Sequence, residues 1–234
     1  MIQIHQQKRQ MTPIQNSLSN ILAELEGTGT SLVAVSKYHP IESVMEAYEC
    51  GQRVFGESHV QELCMKHDAM PADIEWHFIG HLQSNKVKYI APFVSLIHAV
   101  DTYKLLCEID RQAAKAGRVI PCLLQVHIAQ EETKFGFTPD ELKDMLGHED
   151  WQSLSHIAVS GLMCMASNTD DMEQVRREFR SVRELFQEVK AQHFADDDTF
   201  RHLSMGMTGD YHIAVSEGST MVRIGSKIFG ERIY

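Results

Sequence analysis

Ser31-Leu32-Val33-Ala34-Val35-Ser36-Lys37-Tyr38-His39-Pro40 is the stretch on which the fold reading turns. Residues 32–35 form a short apolar run rich in β-branched side chains, bounded upstream by Gly27, Gly29 and Thr30. That combination predicts a buried strand rather than a helix. The run ends in Lys37, and Pro40 opens a helical pattern that continues to Gly51. Proline in the first turn and glycine just past the last is the expected helix punctuation. A lysine where a buried strand meets its loop either snorkels to solvent or points inward. Pointing inward, it loses hydration, and a desolvated amine is what Schiff-base chemistry with an aldehyde requires. Both readings stand on these ten residues alone.

Working outward, Ile14, Leu18, Ile21, Leu22 and Leu25 share one helical face, so a helix over residues 12–26 precedes the strand. Further strands are predicted over residues 53–57, 75–80, 95–101, 120–128, 157–163, 202–205 and 220–224. Between them, helical patterns cover residues 60–70, 85–91, 103–116 and 212–217. Thr138-Pro139-Asp140-Glu141 is a capping box that starts another helix, ending near Gly147. Val175, Phe179, Val182, Leu185 and Val189 mark a long amphipathic helix with Asp170 and Asp171 favourable in its first turn. Eight strands result, each but the last followed by a helix. Such alternation implies an α/β protein of right-handed βαβ units around a parallel sheet. Without a linker or repeat, residues 1–234 read as a single-domain (β/α)8 TIM-type barrel with an extra N-terminal helix. An open doubly wound sheet is the alternative.

Composition narrows the function. Of 234 residues, 43% are hydrophobic and 23% charged, the balance of a globular protein able to build one large core. The formal net charge is −10, and no Lys/Arg block offers a footprint for nucleic acid or an anionic membrane. Cys50, Cys64, Cys107, Cys122 and Cys164 are odd in number and form no CxxC pair, which suits buried thiols in a reducing compartment. Residues 1–7 lack the apolar core of a signal peptide, and no run reaches membrane-spanning length, so a cytoplasmic location is expected.

In a closed barrel the active site lies at the C-terminal strand ends, and phosphate is commonly held after strands seven and eight. The two loops there are Ser204-Met205-Gly206-Met207-Thr208-Gly209 and Gly225-Ser226. Glycines let backbone N–H groups close on an anion, and hydroxyls add donors without bulk. Either loop alone reads equally as a turn. Closure would bring Lys37 beside both, because strand one then pairs with strand eight. An amine next to a phosphate cup is the layout for pyridoxal 5'-phosphate (PLP). Arg223, within the apolar strand Met221-Val222-Arg223-Ile224, needs a partner: an acidic residue or the cofactor ring. His77 and His81 are four apart but interrupted by Gly80, so a zinc pair is not indicated. Met163, Met165, Met205 and Met207 read as packing residues, and Cys164 as a buried thiol.

These motifs carry a family resemblance. Ala34-Val35-Ser36-Lys37, Phe55-Gly56-Glu57, Trp76-His77-Phe78-Ile79-Gly80 and Leu82-Gln83-Ser84-Asn85-Lys86 resemble the pyridoxal-phosphate homeostasis proteins, the alanine-racemase-like single barrels. Gly161-Leu162-Met163, Leu203-Ser204-Met205-Gly206-Met207, Val222-Arg223-Ile224-Gly225 and Phe229-Gly230 extend it from about residue 31 to Tyr234. The resemblance implies one barrel carrying PLP on Lys37, its phosphate held by Thr208, Gly225 and Ser226, and Arg223 facing the pyridine nitrogen. Ser204, Met205, Ser58 and His77 would complete the cofactor-binding set. Ser58 and His127 stand where the family usually has asparagine, His81 where it has proline, and Thr208 where it has serine. The first two leave the corresponding contacts open.

Two function classes follow. One is a PLP carrier and buffer, a monomer supplying apo PLP-dependent enzymes without firm turnover; the other is a PLP-dependent amino-acid racemase. The first is favoured because the chain ends just after the eighth strand, with no second domain to supply an opposite-face base. Arginine at the pyridine nitrogen cannot give up a proton, which leaves the ring a poor electron sink. No catalytic residue and no metal is assigned.

Overall fold

Strand β1 (Ser31–Val35) presents Val33 and Val35 to one face and Leu32 and Ala34 to the other, and all four are buried. A strand buried on both faces belongs to a parallel sheet covered by helices. In the computed structural model, which describes residues 11–128, 135–147 and 149–231, β1 pairs in parallel with both β2 (Val54–Glu57) and β8 (Met221–Ile224). The N-terminal stretch read for a signal peptide and Tyr234 lie outside the described residues.

The remaining strands are β3 (Glu75–Phe78), β4 (Leu96–Val100), β5 (Ile120–Val126), β6 (Ile157–Cys164) and β7 (His202–Met207). They run in order β1 to β8 and close on themselves. This is the eight-stranded barrel expected from the sequence, and the open sheet is excluded. Helix α1 (Pro13–Leu25) precedes β1, with Thr12 and Gln15 forming a capping box. The connecting helices are α2 (Ile41–Glu49), α3 (Val60–Ala69), α4 (Val87–Ile90, after a 3-10 turn), α5 (Tyr103–Lys115), α6 (Pro139–Gly147), α7 (Met172–His193) and α8 (Tyr211–Ser216). Asp171 caps α7, accepting from Glu173 N–H and Gln174 N–H. The predicted stripe of α7 is buried throughout, and each such side chain contributes about 1.5–3 kcal/mol.

Two details differ from expectation. Strand β1 stops at Val35, so Lys37 belongs to the following turn. A ninth helix, α9 (Ser226–Phe229), follows β8. Four residues carry no periodicity to reveal it.

Side-chain alternation splits the interior in two. Outward-facing residues such as Ala34, Phe55, Leu124, Leu162 and Val222 join the helices in the main core. Val33, Leu96, Ala99, Leu123, Met163 and Met221 form a separate cluster, a plug inside the barrel. The barrel interior also holds buried polar side chains, among them His77, His98, Ser204 and Arg223.

Candidate functional site

Lys37 leaves β1 at the C-terminal rim of the barrel, half-buried. Its turn is closed by His39 N–H donating to Ser36 C=O at 3.1 Å. The next residue, Tyr38, has φ +66°, and no other non-glycine among the described residues has positive φ. Side chains seldom take up that left-handed conformation without support from their surroundings.

The two glycine-rich loops meet beside this turn. Ser226 Oγ donates to Thr208 Oγ1 at 3.3 Å, joining the β7 and β8 loops. Residues 207–210 form a tight turn in which Asp210 Oδ1 accepts from Met207 N–H at 2.5 Å. Gly225 packs so closely on β1 that a Cβ there would lie 3.0 Å from Val35 C=O. Strand pairing aligns Val33 with Arg223 and Ala34 with Ile224, so Gly225 and Ser226 share a rim with the Lys37 turn. Lys37, Thr208, Gly225 and Ser226 are therefore gathered at one end of the barrel. Behind them, Glu24 of α1 binds Tyr211 and Lys227, tying α1 to α8 and α9. Tyr211 is the main reason the Glu24 carboxyl is held below the usual carboxylate range.

Inside the barrel, Arg223 is 4% exposed. Its Nη1 donates to Ser204 C=O at 2.9 Å and to Ser204 Oγ at 2.6 Å, and Nη2 donates to Cys164 C=O at 2.8 Å. All three acceptors are neutral, so the acidic partner allowed by the sequence is not what holds it. Burial lowers the affinity of this guanidinium for its proton. Of its five donor hydrogens, two have no partner among the described residues.

The polar layer continues through two histidines. Ser204 Oγ lies 3.0 Å from His98 Nδ1, and His98 Nε2 lies 3.0 Å from His77 Nδ1. Ser204, fully buried, already accepts from Arg223, so its own hydrogen must go to His98 Nδ1 to be satisfied. His98 is then protonated on Nε2 and donates to His77. Both rings are neutral: burial pushes His77 down to about 3 and His98 well below its ordinary value.

The other expected site residues divide. Ser204 touches Arg223, and His77 is linked to it through His98. Met205 is fully buried in the main core, on the helix side of β7, so its side chain does not face the barrel interior. Period-two alternation from Ser204 sets that orientation. Met163 belongs to the plug and Met207 is 38% exposed. Ser58, just past the C-terminal end of β2, lines a cavity of about 260 Å³ with His59, His81, Gln83 and Lys86. His127 N–H donates to Phe137 C=O, and His81 pairs with Asp101 and stacks on Phe135. Another cavity, about 620 Å³, lies between α5 and α6 at Tyr103, Phe137 and Met145, apart from Lys37. Sequence reasoning missed His98 and the Cys164 carbonyl. A histidine in the otherwise apolar strand Leu96–Val100 is the signal that could have flagged the former.

Among the described residues, no helix is long and apolar enough to cross a membrane. Residues 12–233 match the family model for the alanine racemase N-terminal domain. The chain is 43% identical over 204 residues to the pyridoxal phosphate homeostasis protein of Aquifex aeolicus, covering 87% of each. With that of Pasteurella multocida it shares 36% identity over 97% of this chain and 98% of the relative. The PLP-bound structure of PipY from Synechococcus elongatus superposes with a TM-score of 0.84 at 34% identity, covering 93% of this chain and all of that one. Alanine racemase from Bartonella henselae, at 12% identity and TM-score 0.69, shares the fold over 94% of this chain and 59% of its own. The chain belongs to the pyridoxal phosphate homeostasis proteins, single barrels of the alanine racemase N-terminal-domain family.

Proposed function

We propose that this barrel binds PLP at Lys37 in intracellular cofactor homeostasis, and that it holds the cofactor for delivery rather than for turnover. The residues fit the group. A half-buried amine, two bridged hydroxyls on facing loops and a buried cation with unassigned donors match an aldehyde, a phosphate and a pyridine nitrogen. When bound through its aldehyde carbon to an amine, PLP supplies a ring whose power to withdraw electrons depends on protonation of its pyridine nitrogen.

The observation that carries the reading is Arg223. It donates and has no lone pair to accept with, and its three fixed bonds run to neutral oxygens. A ring nitrogen facing it keeps its lone pair. Ser204, Cys164 and the His98–His77 pair hold the guanidinium in place, and both histidines are neutral, so this layer has no ready proton to pass up. Thr208, Gly225 and Ser226 would hold the phosphate through hydroxyls and backbone N–H groups. Lys37 would offer its amine from the adjoining turn. Together these groups bind and orient the cofactor without strengthening it as an electron sink.

The recipients would be apo PLP-dependent enzymes in the same reducing cytoplasm, met by this chain as a monomer. Incubating the loaded protein with such an apo-enzyme should restore that enzyme's activity, while solvent deuterium should not enter amino acids at Cα. Cα exchange near about 1 s⁻¹, at the low end of ordinary turnover, would make the protein a racemase instead.

A further inference from the structure

The turn that carries Lys37 rests on a charged cluster enclosed between β1, β2 and α3. Lys66 of α3 is fully buried, an unusual place for an ammonium. Its Nζ donates to Ser36 C=O at 2.7 Å, to Glu57 Oε1 at 2.7 Å and to Glu62 Oε1 at 2.8 Å. All three hydrogens are thus used. Glu57 is also fully buried and accepts from Ser36 Oγ at 2.6 Å. Glu62 accepts from Tyr38 N–H at 2.7 Å. The residues on both sides of Lys37 are therefore tied to the same cluster: Ser36 through its carbonyl and hydroxyl, Tyr38 through its amide. None of these bonds involves the cofactor cup, and the sequence reading assigned no role to Lys66, Glu57 or Glu62.

A helix-to-strand staple would need only the pair of Lys66 with Glu57. Here the ammonium and Glu62 instead converge on the backbone of a turn whose third residue has φ +66°. A left-handed tyrosine persists only where its surroundings over-determine it. Tyr38 OH adds a contact to His59 Nε2 at 3.3 Å, with ring centroids 5.1 Å apart. Glu57 Oε2, by contrast, is buried with no hydrogen-bond partner among the described residues, and burial pushes its carboxyl above the usual range. The cluster keeps that cost beneath the turn.

We propose that Lys66, with Glu57 and Glu62, is the positioning device for Lys37: it latches residues 36–38 in the conformation that points the Lys37 amine at the cofactor. This rests on the reading of Lys37 as the PLP lysine, and it adds residues that do not touch the cofactor. Opening the latch frees the Tyr38 backbone to relax, and the amine loses its fixed direction.

The test uses the full chain in two arms. In cofactor-free protein, Glu62→Ala should speed hydrogen exchange at the Tyr38 amide about tenfold or more, the fold-change expected for one lost hydrogen bond to a charged group. With PLP added, borohydride-trapped pyridoxyl on Lys37 should form about tenfold more slowly than in wild type, with the folded state retained by circular dichroism. Glu62→Gln, which still offers an acceptor to Tyr38, should recover most of both effects. Tyr38→Gly on the Glu62→Ala background should recover loading, because glycine takes φ +66° without support. Lys66→Met, where it folds, should load more slowly still. Wild-type loading rates in Glu62→Ala, or unchanged Tyr38 exchange, would overturn the proposal. If wild type itself gains no adduct at Lys37, the functional reading fails instead, and the exchange arm alone decides whether the turn is latched.

Discussion

Arg223 and Ser204 form the central polar contact of the barrel interior: one guanidinium nitrogen donates to both the carbonyl and the hydroxyl of the same serine, at 2.9 and 2.6 Å. The hydroxyl also meets His98, so a single oxygen couples the arginine of β8 to the histidine chain of β3 and β4. Ser204→Ala removes that oxygen and leaves His98 Nδ1 buried without a donor. A loss of roughly 1–3 kcal/mol in denaturant unfolding is expected, with the fold retained. An unchanged unfolding midpoint would show that Ser204 Oγ holds nothing.

Acid should weaken the fold before the carboxylates titrate. His77 titrates at about 3 when folded, against about 6.5 when unfolded, and His98 is depressed as well. A folded value below the unfolded one means the unfolded chain binds more protons between the two. Stability is then complete above about pH 6.5 and declines as pH falls toward 3. The slope is at most about 1.4 kcal/mol per pH unit for the first proton the pair must refuse. Unfolding measured at pH 7.5 and pH 5.5 should show this loss. Imidazole nitrogen NMR at pH 5.5 should find both rings neutral, and a protonated ring would contradict the assignment.

Gly161 sets the register of β6. Cys122 pairs with Val159 but Leu123 with Gly161, so Ser160 is an extra residue in a bulge. Gly161 has φ +150°, and a Cβ there would lie 1.8 Å from His202 C=O. Gly161→Ala should therefore cost more than about 4 kcal/mol or prevent folding, as read by circular dichroism and urea unfolding. A well-folded variant with native stability would show that the β6–β7 contact yields.

Much of this was legible in the sequence. Strand and helix alternation showed because β1, β5 and β8 are apolar runs, and because the Thr138–Glu141 capping box and the acidic Asp170-Asp171 start of α7 are local signals. That Lys37, Thr208, Gly225 and Ser226 would meet at one rim was legible because the barrel fixes which loops become neighbours. The polar layer was not. His98 and Ser204 lie 106 residues apart, and only the closed barrel brings them to 3.0 Å. Met205 was placed in the cofactor set although alternation from Ser204 turns it outward. Lys66 follows Leu63 by three on the buried face of α3, a legible anomaly whose partners in β1 and β2 local patterns do not reveal.

The phosphate cup is tested by charge. Ser226→Asp would set a carboxylate against a dianionic phosphate at an exposed rim, a repulsion of roughly 1–4 kcal/mol at contact distance. PLP affinity should fall about tenfold or more while the melting temperature of the cofactor-free protein holds. Unchanged affinity would place the phosphate elsewhere.

The central claim is that Lys37 is the residue that takes the cofactor. Borohydride reduction of the PLP-treated protein, followed by peptide mass mapping, should find a single pyridoxyl group on Lys37, and Lys37→Ala should abolish it. An adduct on Lys86 or Lys227 in place of Lys37, or one that survives Lys37→Ala, would contradict the account.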